Sequence, residues 1–147
     1  YQAIKNTAAQ DRALVFDESD GLYRGEQSFL DWREQSYPAW AETVHIGMSK
    51  SLSTNVLHLW MLRVGAELAK EKGDTETETR LRSHAAQLQA ALRALWQPDS
   101  KLFSTYITTT LDPAPAQRWD LLGTALAILA DVASPSEARD MLSSYPH

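Results

Sequence analysis

The chain has 147 residues, which is the length of one domain or of a piece of a larger one. With 44% apolar and 22% charged residues, its composition is that of a folded protein and not of a disordered segment. Its 14 basic and 19 acidic residues give a net charge of −5, which argues against a nucleic-acid-binding surface. The lack of cysteine excludes disulfides, thiolate metal sites and cysteine nucleophiles, and charged residues interrupt every apolar run before it could span a membrane.

The first part of the chain divides into a helix and a long segment without periodicity. Residues 1–15 predict a helix, because Ile4, Ala8 and Leu14 fall on roughly one side of it. Residues 16–43 show no helical or strand period and are rich in acidic and aromatic side chains. Connections of this length in compact domains usually carry function.

The middle of the chain predicts two helices, over 53–72 and 74–97, that form an antiparallel hairpin. The stretch 51–55 supplies N-cap residues, Gly73 ends the first helix, and Asp74 caps the second. The apolar residues of the first helix at helical spacing are Val56, Leu57, Trp60, Met61, Val64, Leu68 and Ala69. Those of the second helix are Leu81, Ala85, Leu88, Leu92 and Leu95.

The last part of the chain predicts a short extended segment over 102–110 and a second hairpin of helices over 118–133 and 135–144. The helix over 118–133 is apolar on more than one face and is therefore expected to be well buried. The stretch 134–137 has the sequence of a complete capping box. We find no fixed-period repeat, which argues against a solenoid. The predicted fold class is all-α, built from consecutive antiparallel helical hairpins.

The segment 16–43 also concentrates the residue types that carbohydrate sites use. Its carboxylates Glu26, Asp31 and Glu34 lie close in sequence to five aromatic rings: Tyr23, Phe29, Trp32, Tyr37 and Trp40. Sugar rings stack their apolar faces on aromatic rings, and cleavage of a glycosidic bond needs a carboxylic acid and a second carboxylate. A neighbouring ring raises the pKa of the acid by partial desolvation. The alternative interpretation is a solvated surface loop with a few anchors in the core.

Other motifs predict neither a metal site nor a serine nucleophile. The four histidines lack the spacing of a metal motif, and no Gly-x-Ser-x-Gly stretch occurs, so we expect no metal and no cofactor. His58 lies on an apolar helix and is expected to be a core or lining residue. Trp60 and Met61 are expected to contribute packing and not a ligand site.

Three stretches, over 20–32, 51–57 and 118–126, resemble the six-hairpin (α/α)6-toroid glycoside hydrolases. They span nearly the whole chain in the order that this superfamily leads one to expect. Trehalase and α-glucosidase-like, glycogen-debranching-like and α-L-rhamnosidase-like members are similar at this level. The resemblance implies part of a catalytic toroid of bacterial type that hydrolyses oligosaccharides, mostly with inversion.

The resemblance also implies site residues. The general-acid aspartate of the trehalase and processing-glucosidase clan precedes an aromatic residue in a loop similar to 28–32, which places the acid role on Asp31 and puts Trp32 at the sugar. Glu34 is the second catalytic candidate, with Glu26 behind it. The residues expected to bind substrate are Trp32, Glu26, Tyr37, Trp40 and Arg24. The general-base glutamate of that clan lies farther along the chain, and no residue here matches it.

The resemblance finally implies that residues 1–147 form a single-domain fragment with about two of six hairpins, inactive in isolation. The expected partners are a carbohydrate substrate and either further copies of the chain or the remainder of the toroid, since unpartnered helices expose apolar surface. Neither nucleic acid nor a membrane is expected as a partner. Two alternatives are a non-catalytic α-helical interaction module of the repeat-hairpin kind and an inactive sugar-binding homologue.

Overall fold

The computed structural model describes residues 1–25, 40–107 and 119–145. Within these ranges the helices are α1 (Gln2–Leu14), α2 (Thr43–Met48), α3 (Leu52–Glu71), α4 (Thr75–Arg93), α5 (Leu121–Leu129) and α6 (Pro135–Ser143). The strands, two residues each, are β1 (Phe16–Asp17), β2 (Leu22–Tyr23), β3 (Lys50–Ser51), β4 (Trp96–Gln97), β5 (Leu102–Phe103) and β6 (Tyr106–Ile107). They pair antiparallel as β1–β2, β3–β6 and β4–β5. The prediction of an all-α fold made of helical hairpins is confirmed.

The hairpin of α3 and α4 turns where the sequence predicts. Gly73 has a φ of +70° and donates its N–H to Lys70 O, and the N–H of Asp74 reaches back to Ala69 O. Glycine adopts this left-handed conformation without steric cost, which is why it closes the helix. The side chain of Asp74 then accepts the N–H of Thr77 at 3.1 Å and starts α4.

The core lies between α3 and the helices around it, and α3 packs against α1, α4 and α5. The predicted apolar stripe of α4 is confirmed, because all its members are buried: Leu81, Ala85, Leu88, Leu92 and Leu95. Helices α1 and α4 both approach α3 closely at Gly65, where a Cβ atom would lie 2.9 Å from Ile4 Cγ2 and 3.0 Å from Leu81 Cδ1. A larger residue at this position would push α1 and α4 away from α3.

Three of the apolar residues that the sequence places at helical spacing along α3 are exposed to solvent. Leu57, Trp60 and Val64 are 37%, 41% and 44% exposed. The buried residues of the helix include four that the predicted stripe omits: Leu52, Leu59, Leu62 and Ala66. Because α3 carries apolar residues around most of its circumference, their spacing does not select a face, and packing of α4 and α5 makes the selection. Leu14, at the end of α1, is likewise exposed.

The second hairpin is shorter and less buried than predicted. Helix α5 begins at Leu121, and both Leu121 and Leu129 are more than 60% exposed, so the expectation of a well-buried helix is wrong at its two ends. The predicted capping box is confirmed, since Ser134 Oγ accepts the N–H of Glu137 and the Glu137 carboxylate accepts the N–H of Ser134. Arg93 of α4 binds the same carboxylate and thereby holds α6 against the first hairpin.

A structural repeat corrects the expectation that the chain has none. In each copy a helix leads into a two-stranded sheet: α1 into β1–β2 and α4 into β4–β5. The equivalent positions are 15 and 95, 16 and 96, 22 and 102, and 23 and 103. In both copies the two aromatic rings contact edge to face, and one N–H closes the unit, from Arg24 to Val15 O and from Ser104 to Leu95 O. The repeat escapes a search at fixed period because different side chains occupy equivalent positions.

This second copy also explains why α4 ends before residue 97. Trp96 and Gln97 leave the helix to pair with Phe103 and Leu102. The predicted extended segment over 102–110 is confirmed at 102–103 and 106–107, and positions 108–110 lie outside the described residues.

Candidate functional site

The three small sheets gather at one end of the molecule, where α1 and α4 end and α3 and α5 begin. Strand β3 pairs with β6, with Lys50 opposite Ile107, and Gly25 forms a parallel bridge with Lys50 on the other side. The opposite end carries the turn between α3 and α4, whereas the turn between α5 and α6 lies beside Arg63 of α3 and Arg93 of α4. The residues that precede α3 and those that precede α5 are therefore joined by backbone hydrogen bonds at a single surface, which we call the sheet end.

Asn55, in the first turns of α3, anchors the sheet end to the core. Its side chain is fully buried, accepts the N–H of Tyr23 at 2.7 Å and donates to the carbonyl oxygens of Tyr23 and Ser51 at 2.9 Å. A carboxamide satisfies both backbone groups of one residue because it carries a donor and an acceptor side by side. From the sequence alone, Asn55 is one of several N-cap candidates, and its hydrogen bonds to the backbone of Tyr23 are not predicted.

A cluster of charges lies just outside this anchor. Asp17 Oδ2 accepts hydrogen bonds from Lys50 Nζ at 2.8 Å and from Arg24 Nη2 at 2.7 Å, and Lys50 also pairs with Asp20. Lys50 first, then Ser19 and Arg24, hold the pKa of Asp17 far below its usual range. Arg24, a predicted substrate-binding residue, is thus half-buried in an ion pair that connects β1 to the segment after β2.

Replacement of Lys50 by methionine should reduce the free energy of unfolding at pH 7 and should do so less at low pH. The pKa of Asp17 is depressed in the folded protein, whereas in the unfolded chain it is about 3.9. The stabilisation is therefore present above about pH 4 and is lost as the pH falls below it. Arg24 remains beside Asp17 in the variant, so the loss is partial.

Urea unfolding of wild type and Lys50→Met between pH 7 and pH 2 measures this difference. Lys70→Met is the matched control, since Lys70 is exposed and makes no ion pair with the described residues. A difference in the free energy of unfolding between Lys50→Met and wild type that stays constant with pH would show that the ion pair of Lys50 with Asp17 does not stabilise the fold.

Trp40 and His45 form a second feature of this region. Trp40 is 46% exposed, and its ring meets that of His45 edge to face at 5.3 Å. His45 Nδ1 accepts the N–H of Glu42 at 3.1 Å and closes the start of α2. The ring of Trp40 is thus accessible, and its contact with His45 attaches it to α2, a helix that the sequence did not predict.

Asp120 is a carboxylate that sequence reasoning missed. It lies at the start of α5, packed so tightly on Gly123 that a Cβ there would meet its Oδ2 atom. Burial raises the pKa of Asp120, and the backbone N–H groups of Gly123 and Leu122 oppose the rise. Its Oδ2 atom is buried without a well-formed hydrogen bond to any described residue. Such carboxyls hold a proton more readily than exposed ones and are frequent at functional sites.

His58 is partly buried beside the core, which agrees with the expectation of a core or lining residue. Its ring stacks on Tyr23 at 4.1 Å, and its Nδ1 atom lies 3.5 Å from Asp11 Oδ2. Burial lowers the pKa of His58, and Asp11 opposes this effect. Tyr23, one of the rings considered for sugar stacking, is only 1% exposed and therefore belongs to the same core. Met61 packs against the core as expected, whereas the packing role predicted for Trp60 is wrong.

Most of the predicted site residues lie in the segment between Gly25 and Trp40, outside the described residues. These are Glu26, Asp31, Trp32, Glu34 and Tyr37. In the described part of the chain, no three histidine or acidic side chains come close enough together to hold a metal ion. None of the described helices is both long and apolar enough to cross a membrane.

Comparison with known proteins supports the fold and gives no family. No family model matches the chain, and neither does any curated protein. Among solved structures, the fold is similar to that of a GH78 family rhamnosidase of Bacillus sp. GL1, with a TM-score of 0.74 and 21% sequence identity. The similarity covers 99% of this chain and 14% of that chain. The chain therefore has the helical-hairpin fold of one part of a much longer glycoside hydrolase.

Proposed function

We propose that the chain forms part of the (α/α)6 toroid of a glycoside hydrolase that cleaves oligosaccharides with inversion of configuration. One observation carries the proposal: the sheet end collects the segments that precede α3 and α5 and joins them through Gly25, Lys50 and Ile107. The segment that holds the clustered carboxylates and aromatic residues is attached to this end at Gly25 and Trp40. The fold similarity to a rhamnosidase supports the same reading.

In this proposal Asp31 protonates the glycosidic oxygen, with Glu34 as the second candidate for that role. Trp32, Tyr37 and Trp40 bind sugar rings by stacking, and the exposed ring of Trp40 supports its part. Glu26 accepts hydrogen bonds from sugar hydroxyls. Arg24, first expected to bind substrate, has its guanidinium on Asp17 and contributes by holding the base of the segment in place.

The remainder of the toroid covers the apolar surface that these two hairpins leave open. Leu57, Trp60 and Val64 form an exposed stripe along α3, and Leu121 and Leu129 are exposed on α5. Surfaces of this kind favour association, and in a toroid the next hairpins lie beside these helices. The repeat of helix, two-stranded sheet and loop supports a toroid in which one unit recurs around the ring.

Expression of the full open reading frame around this sequence tests the proposal. The protein is incubated with a panel of oligosaccharides and aryl glycosides, and proton NMR identifies the anomer of the first product. We expect hydrolysis with a product anomer opposite to that of the substrate, as for a carboxylate pair that leaves room for a water molecule. A product of retained configuration would overturn the inverting mechanism.

The exposed stripe of α3 favours one alternative, a non-catalytic helical interaction module, because such modules present apolar faces to partners. The same experiment distinguishes a hydrolase from an inactive sugar-binding homologue and from an interaction module. Sugar binding without hydrolysis assigns the protein as an inactive sugar-binding homologue. Absence of both binding and hydrolysis assigns it as an interaction module.

A further inference from the structure

A groove of about 230 Å³ between α1 and α4 carries an unusual concentration of positive charge. Its floor is apolar, formed by Ala8, Ala9 and Leu81, and its rim carries four basic side chains: Lys5, Arg12, Arg80 and His84. No carboxylate lines it. Composition does not explain this, because the chain as a whole has a net charge of −5.

The carboxylates that pair with basic residues of the groove lie at its two ends, so the positive charge in its middle has no paired carboxylate among the described residues. Lys5 pairs with Asp74 at 2.8 Å, at the start of α4. Arg12 pairs with Glu18 at 2.8 Å, donates to Gln87 and stacks over the ring of Phe16. Arg80 is exposed and makes no ion pair or hydrogen bond with the part of the chain that the structure describes.

The basic groups of the groove repel one another. Burial lowers the pKa of His84, Arg12 and Arg80 lower it further, and Glu18 opposes them. The charge of Arg80 also opposes the rise in the pKa of Lys5, which the hydrogen bond to Asp74 causes. A protein gains nothing in stability from such an arrangement by itself, whereas an anion in the groove would bring the charges into balance.

We propose that this groove binds an oxyanion of phosphate or sulfate chemistry, free or carried as an ester on a larger molecule. The guanidinium of Arg12 is held in place by Phe16, Glu18 and Gln87 and presents a fixed set of donors. Arg80 is free to close over the ligand from the other side, and planar guanidinium groups bind such oxygens in pairs. The groove runs along α1 and α4 and reaches the β1–β2 turn at Arg12. None of its lining residues has a part in the proposed hydrolysis, so the two proposals are independent.

His84 provides the readout, because an anion beside it favours its charged form. The full chain is labelled with ¹³C, and the ring signal of His84, assigned by its loss in His84→Gln, is titrated in sodium sulfate and in sodium chloride of equal ionic strength. Sulfate suits the test because it stays doubly charged while histidine titrates. We expect sulfate to raise the pKa of His84 by on the order of one pH unit relative to chloride.

Two variants of equal charge make the test specific. In Arg80→Gln the difference between sulfate and chloride should disappear, whereas in Arg139→Gln, which removes an exposed arginine from α6, it should persist. A sulfated disaccharide compared with inorganic sulfate then identifies the source, since the one that acts at lower concentration is the better ligand. Equal titration in sulfate and chloride would overturn the proposal, as would a sulfate effect that survives in Arg80→Gln.

Discussion

If the chain has the proposed function, replacement of Asp31 by asparagine in the full-length protein is expected to slow the hydrolysis of oligosaccharides by about 10²–10⁴-fold, the usual contribution of general acid catalysis. Asparagine keeps the shape of the side chain but has no proton to give to the leaving oxygen. Substrates with activated aryl leaving groups depart without protonation and should lose much less. Sugar binding should be retained, because the stacking rings are unchanged.

Glu34→Gln is the matched control for this experiment. It removes the neighbouring carboxylate of the same segment and should show no dependence on the leaving group. If Asp31→Asn leaves the rate intact and Glu34→Gln abolishes it, the acid is Glu34. If Asp120→Asn alone shows the leaving-group dependence, the acid is the buried carboxyl at the start of α5 and the assignment to the long segment is wrong. If none of the three matters, the segment is structural.

Replacement of Asn55 by aspartate is expected to lower the free energy of unfolding at pH 7 by about 3–5 kcal/mol, the range for an uncompensated buried charge. The carboxylate would face the carbonyl oxygens of Tyr23 and Ser51, to which Asn55 now donates, without a proton to offer. It would still accept the N–H of Tyr23. The variant thus changes one donor into a charge and leaves the volume of the side chain unchanged.

This variant should also make stability depend on pH. Burial and the two carbonyl oxygens raise the pKa of the introduced carboxyl above its value of about 3.9 in the unfolded chain. The folded state then binds the proton more tightly, so the loss of stability relative to wild type is smallest below about pH 4 and grows as the pH rises toward 7.

Asn6→Asp makes the same change on the exposed surface of α1, where the side chain bonds only to Gln2 in the described structure. This control should alter stability by no more than about 0.5 kcal/mol. Denaturant unfolding monitored by circular dichroism at several pH values measures both variants. A similar small loss in Asn55→Asp would show that the anchor between α3 and β2 contributes little.

The helix ends were predictable because their signals are local. Gly73, Asp74 and Ser134 act through hydrogen bonds to residues only a few positions away, so their types and spacing are enough to identify them. Ser51 was one of several N-cap candidates over 51–55, and the structure selects it. The buried stripe of α4 was predictable for a related reason. That helix has apolar residues on one side only, and a single stripe leaves one choice of face.

The candidate site remains a prediction, because the segment between Gly25 and Trp40, whose acidic and aromatic composition carries it, lies outside the described residues. The structure describes the residues that hold the two ends of this segment, and the sequence did not predict those. Asn55 and Lys50 could not be recognised from the sequence, because their partners at positions 23 and 17 lie far away in sequence. Asparagine and lysine are common on surfaces, and nothing in their immediate neighbours distinguishes these two.

By itself, therefore, the amino-acid sequence determined the helices other than α2, the caps at Asp74 and Ser134, the turn at Gly73 and the location of the acidic and aromatic segment, since these depend on interactions within a few residues. The tertiary structure alone decided which face of α3 is buried, which rings enter the core and how the sheet end is assembled. Those outcomes depend on contacts between distant segments, as when β3 pairs with β6 and Asn55 reaches Tyr23. An apolar helix such as α3 has several faces of similar hydrophobicity, and only the packing of its neighbours distinguishes between them.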